Sequence, residues 1–154
     1  MQYKALIINC MDPRLQGENL IRIASAAELS SGEYETLTYG GPSLWCTDPH
    51  TPTDKDSLLW LMRNISLDVH GVSRVVLVGH SNCGGFALKG APKDPVAERR
   101  VIEASLKDAI VALESQFPGL EVVPVFVTIG DTQAEGLLPE ILPERLNLVQ
   151  LAVA

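Results

Sequence analysis

The chain has 154 residues, 46% hydrophobic and 20% charged, which argues against disorder and suits one domain, 1–154, long enough to bury a proper core. With 12 Lys and Arg against 19 Asp and Glu the formal charge is −7, and no basic cluster exists beyond Arg99-Arg100, poor equipment for a nucleic-acid backbone. The longest apolar runs are broken by Asp, Arg, Gly or Pro and the N-terminus lacks signal-peptide architecture, so no membrane association and a cytoplasmic location are expected.

Residues 4–9, KALIIN, form a short apolar run ended by Cys10 and an Asp-Pro-Arg turn, which predicts a buried strand. Near-helical spacing of apolar residues follows over 17–29 and stops at Ser30-Ser31-Gly32. YETLTY (34–39) is a second strand candidate, ended by Gly40-Gly41-Pro42, and 46–54 reads as a Pro-containing loop. A helix is expected from an N-cap at Asp54 or Asp56 to the stop at Gly71. RVVLVGH is the third strand. A long helix over 96–117 should bury positions 97, 101, 102, 106, 109, 110 and 113. EVVPVFVTIGD is the fourth strand candidate, and its Pro124 favours an edge position or a strand start. The proline-interrupted tail, 137–154, resists placement, and a helix there would offer a docking element for a neighbouring subunit.

Strands alternating with helices predict an α/β fold: three layers, with a mainly parallel sheet of four to five strands flanked by helices. Ligands in such sheets bind at the carboxyl ends of strands, near the point where strand order reverses. Cys10 and His80 both stand at predicted carboxyl ends and are thus candidates for one shared site.

Cys10, His80 and Cys83 together make a soft, tetrahedral donor set suited to zinc, with one coordination position left over, as in catalytic rather than structural zinc sites. Three cysteines, an odd number, argue against a disulfide framework and leave metal binding or catalysis open. Zinc would bring the pKa of a bound water to about 7. Asp12, two residues before Arg14, could stay ionised beside that guanidinium and orient the resulting hydroxide; released from Arg14, it could close the site as a fourth ligand. Each fragment alone has a plainer reading: a core cysteine, an Asp-Pro turn, a surface ion pair. The coincidence of both at strand ends is what points to a metal.

CMDPR followed some 70 positions later by GHSNCGG resembles the Cys-x-Asp-x-Arg and His-x-x-Cys motifs of the beta-class carbonic anhydrases. The likeness extends over roughly residues 3–135, through the segment DSLLWLMRNISLDVHGVSRVVLVGHSNCGG and the VFVTIGD strand. It implies zinc on Cys10, His80 and Cys83, a gating dyad of Asp12 and Arg14, and reversible hydration of carbon dioxide to bicarbonate by a zinc-bound hydroxide. It also implies a homodimer or higher homo-oligomer with the cleft near the subunit interface. The chain resembles a short member lacking the N-terminal helices of many relatives, and Thr38-Tyr39-Gly40-Gly41-Pro42 stands where they commonly carry Arg-Asn-Ala-Gly. Relatives acting on carbonyl sulfide or carbon disulfide share the zinc motifs, so a zinc hydrolase of those substrates and a non-catalytic zinc-binding relative are the alternatives. His50 is read as a solvated loop histidine, or a proton shuttle should its loop fold over the site. His70 is expected to meet the last carbonyls of its helix, Cys46 to be a spare thiol, and Trp45 and Trp60 to be packing residues.

Overall fold

The computed structural model describes residues 2–49, 52–130 and 139–147. Five strands form one sheet: β1 (Ala5–Cys10), β2 (Tyr34–Tyr39), β3 (Arg74–His80), β4 (Glu121–Ile129) and β5 (Ile141–Arg145), in the order β2-β1-β3-β4-β5. The first four run parallel and β5 is antiparallel to β4. The helices are α1 (Glu18–Ala26), α2 (Pro42–Thr47), α3 (Pro52–Leu61), α4 (Gly84–Leu88) and α5 (Pro95–Gln116). None among the described residues is long and apolar enough to cross a membrane.

The central strands are apolar on both faces because helices cover both. Every residue of β1, ALIINC, is buried, and so is every residue of β3 after Arg74. α1 lies against β4 and β5, whereas α2 and α5 lie against β3. The chain moves from β1 outward to β2, then crosses back to β3 on the other side of β1. Strand order therefore reverses between β1 and β3, opening a crevice at their carboxyl ends. Cys10 and His80 are the last residues of those two strands.

Gly79 brings α5 close to the sheet. A Cβ there would stand 2.7 Å from Ile102 Cγ2 and 3.0 Å from Leu106 Cδ1, so only glycine lets the helix sit this near. Its partner across the β3–β4 ladder is Phe126, one of the largest fully buried side chains, with the Arg99 guanidinium 4.6 Å above the ring. α5 starts on Asp94, whose Oδ1 accepts from Ala97 N–H at 2.8 Å, with Pro95 in the first turn. It buries Ile102, Leu106, Ala109, Ile110 and Leu113 as the spacing predicts, but Glu98 in place of Val101, which is 41% exposed.

Several expectations need correcting. α3 begins at Pro52, so Asp54 and Asp56 lie inside its first turns rather than capping it. It runs into a π-helical turn over Met62–Leu67, where His70 N–H reaches the Ile65 carbonyl, and Gly71 at φ 70 ends it as expected. Residues 42–47, given to no element or to a loop, form α2; Pro42 occupies its first turn, a legitimate helix start. Pro124 sits in a central strand. Its carbonyl accepts from Leu146 on the β5 side, so its nitrogen also faces that side, beyond the last ladder pair Val125↔Arg145, and no bond to β3 is lost. In the tail, 141–145 is an edge strand that tolerates Pro143, not a helix; 137–138 and 148–154 lie outside the described residues.

Candidate metal centre

The end of β1 and the turn after β3 bring three soft donors together. The ligand atoms of Cys10, His80 and Cys83 all lie within 4.8 Å of one another, and all three residues are buried. His80 is fully enclosed, with Nδ1 2.9 Å from the Ser81 carbonyl. A carbonyl only accepts, so Nδ1 carries the proton and Nε2 presents its lone pair. That Nε2 is buried without any partner, an unfavourable state for a polar atom unless something electrophilic meets it. Ser81 is itself fixed to β4: its N–H donates to Val127 O at 3.0 Å and its Oγ accepts from Ile129 N–H at 2.9 Å. The imidazole is thereby held by the sheet rather than by a loop.

The thiols carry the same message electrostatically. Cys10 is held well below the usual thiol range, chiefly because the Cys83 S–H can hydrogen-bond to its thiolate, with the Gly41 N–H adding to this. Cys83 is pushed up by that same hydrogen bond and by burial. A cation bound by both sulfurs would take them as thiolates and release their protons. Two sulfurs and one imidazole nitrogen are the donor chemistry of a zinc site with a fourth position free, so the residues fit that ion.

Asp12 does not join this group. Its carboxylate is taken by Arg14, with Nη2 2.6 Å from Oδ2 and Nε 3.0 Å from Oδ1, while Oδ1 also accepts the Arg14 N–H at 2.9 Å. The guanidinium hydrogen bonds, first among the causes, hold Asp12 below the usual carboxylate range. Three side-chain amides brace the loop that carries the pair. Asn9 donates to Leu15 O at 3.0 Å, Gln16 to Cys10 O at 2.8 Å and Asn19 to Arg14 O at 2.8 Å.

A cleft of about 580 Å³ opens onto Cys10 and Asp12, walled by Met11, Gly40, Trp45 and Leu88. Trp45 stacks at a tilt on Tyr39, with centroids 4.1 Å apart, and its buried Nε1–H has no partner among the described residues. It is thus a cleft wall as well as a packing residue. Trp60 is 58% exposed and does not pack as expected, since the register of α3 turns it outward. Gly85 lets α4 touch the Gly40-Gly41 segment; a Cβ there would stand 2.7 Å from Gly40 C and O.

The other candidates stand apart. Cys46 is buried in α2 with its Sγ 3.8 Å from Pro42 O, outside the metal-binding group, and burial pushes its thiol up to about 12. His70 pairs through Nδ1 with Glu35 on β2 and meets the Tyr3 ring edge-on, instead of meeting helix carbonyls. His50 lies outside the described residues.

Residues 1–135 match the family described as "Putative carbonic anhydrase". The chain belongs to that family of putative carbonic anhydrases. Solved structures agree on the fold of this carbonic anhydrase family member. A tetrameric beta-carbonic anhydrase of Sordaria macrospora superposes with a TM-score of 0.56 at 17% identity, over 83% of this chain and 77% of its own. The beta-carbonic anhydrase CafA of Aspergillus fumigatus gives 0.57 at 17% identity, over 99% and 81%. Isoform I from Trichomonas vaginalis gives 0.52 at 18% identity, over 92% and 82%. No curated protein matches the chain by sequence.

The sequence pointed to Cys10, Asp12, Arg14, His80 and Cys83 but passed over Asn19, Asn82 and Glu98. Glu98 had a signal: it extends the stripe of Ile102, Leu106 and Leu113 at helical spacing, so an acid there had to be buried.

Proposed function

We propose that this chain catalyses the reversible hydration of carbon dioxide to bicarbonate with zinc held by Cys10, His80 and Cys83. The observation that carries the reading is the buried, unpartnered Nε2 of His80 facing two thiols at the strand-order reversal. Zinc in such a set supplies a Lewis acid that ionises water near neutral pH.

The chain's own residues do the rest. The Ser81 carbonyl engages Nδ1 of His80, which leaves Nε2 as the ring nitrogen that can act as a ligand. Arg14 keeps Asp12 ionised and turned from the sulfur donors, leaving a carboxylate that accepts a hydrogen bond from a reacting water and orients it. Met11, Trp45 and Leu88 offer an apolar approach to a small, uncharged, linear substrate. The same walls suit carbonyl sulfide or carbon disulfide, and a hydrogen sulfide assay separates those substrates from carbon dioxide.

The exposed Met11 and Leu88, at 68% and 81%, stand at the cleft mouth and favour a homodimer or larger homo-oligomer that covers them. Free thiols at all three cysteines suit a reducing, cytoplasmic setting. The deciding experiment is stopped-flow carbon dioxide hydration on metal-quantified protein between about pH 6.5 and 9, bracketing the zinc-water pKa. Turnover that disappears together with the zinc in Cys83→Ser supports the reading. Stoichiometric zinc without turnover on any of these substrates would overturn it in favour of a zinc protein that has lost its chemistry.

A further inference from the structure

We propose that Glu98 is a positioning residue for the Asp12–Arg14 pair, acting through the main chain of Asn82; its catalytic consequence rests on the function proposed above, its structural core does not. Glu98 lies in the first turn of α5, only 8% exposed and one of few buried polar residues. Its Oε2 accepts the Asn82 N–H at 3.0 Å. Asn82 stands between His80 and Cys83 with φ 55, a left-handed conformation that Asn tolerates better than most residues. The carbonyl of the same residue accepts from Arg14 Nη2 at 3.3 Å, and that nitrogen is 2.6 Å from Asp12 Oδ2. A continuous line of hydrogen bonds thus runs from the α5 acid, across one peptide unit on each side of Asn82, to the guanidinium that holds Asp12.

Arg14 needs this second hold. Its side chain is 33% exposed, and a long flexible side chain so placed gives up rotamer entropy to stay on one carboxylate. On the chain side, the amides of Asn9, Gln16 and Asn19 fix the loop carbonyls but do not touch the guanidinium. On the far side only the Asn82 carbonyl reaches it among the described residues. Without an acceptor at position 98 the Asn82 N–H loses its partner, the left-handed φ of Asn82 loses that hold, and a change in its dihedrals carries the Asn82 carbonyl away from Arg14, which is left with Asp12 alone. Arg14 then leaves Asp12 for part of the time, and the carboxylate loses its fixed direction.

The test uses zinc-loaded protein with Glu98→Met, similar in volume but without an acceptor, and Glu98→Gln, which keeps one. Hydrogen exchange of the Arg14 Nε–H, read by NMR, should accelerate in Glu98→Met and return most of the way in Glu98→Gln, while zinc content stays at the wild-type level. The carbon dioxide kcat should fall about tenfold in Glu98→Met with KM little moved, the pattern of a lost orienting group. A folded, zinc-loaded Glu98→Met with unchanged Arg14 exchange overturns the proposal. If Glu98→Met does not fold, the wild-type Asn82 amide decides: slow exchange supports the hydrogen bond to Glu98, and exchange at the rate of a free amide refutes it. Wild-type protein without turnover would defeat the proposed function, yet the Arg14 and Asn82 exchange rates would still decide this one.

Discussion

Replacing Gly85 by alanine tests whether the site turn is built on contact between two backbones. Gly85 is the second residue of α4, and an added Cβ would stand 2.7 Å from both Gly40 C and Gly40 O and 2.8 Å from Gly41 N. All three are main-chain atoms, so relief requires one backbone to move rather than a side chain to rotate. Overpacking of this kind costs about 1–3 kcal/mol, and alanine returns roughly 0.5–1 kcal/mol through its lower unfolded-state entropy. A net loss of about 1–2 kcal/mol is expected. Gly84, one residue earlier, is the internal control, because nothing lies within 4 Å of a Cβ placed there. Gly84→Ala should be neutral or stabilise by about 0.5 kcal/mol. Urea unfolding followed by far-ultraviolet circular dichroism, at one fixed zinc concentration so that binding contributes equally, gives both values. The segment that would have to move also presents the Gly41 N–H to Cys10, so Gly85→Ala should hold zinc less tightly as well. Coincident unfolding curves for the two variants would refute the close-contact argument.

Asp12→Ala should retain stoichiometric zinc and lose at least about tenfold in carbon dioxide turnover; full turnover with zinc bound would remove Asp12 from the mechanism. Cys46, with its thiol pushed up to about 12 by burial, should resist iodoacetamide at neutral pH in the native protein. Peptide mapping of chelator-treated protein should find label at Cys10 well before Cys46, and the reverse order would contradict the burial argument. Asp94→Ala removes the acceptor of the Ala97 N–H and should cost about 1 kcal/mol in urea unfolding, with zinc content unchanged. An unaltered midpoint would mean that Pro95 and the helix packing already suffice to start α5.

The ends of strands were legible because apolar runs stop where backbone must turn: YETLTY and RVVLVGH coincide with β2 and β3 residue for residue. The donors Cys10, His80 and Cys83 were legible because soft ligands at such stops have little structural purpose, and the strand-order reversal between β1 and β3 turns that local pattern into one cluster. Local spacing could not tell that Pro124 belongs to a central strand, since its tolerance depends on where β5 ends. Nor could it tell that His70 turns to Glu35, because that pairing joins residues 35 positions apart. The hold on Arg14 is of the same kind: Asn82 is 68 positions away, and Glu98 reaches Asn82 from another helix. Motif chemistry is a property of neighbours in the chain, and the sequence by itself determined which residues could bind a metal. Orientation is a property of neighbours in space, and only the tertiary structure decided which lone pair faces the centre and what holds the carboxylate beside it.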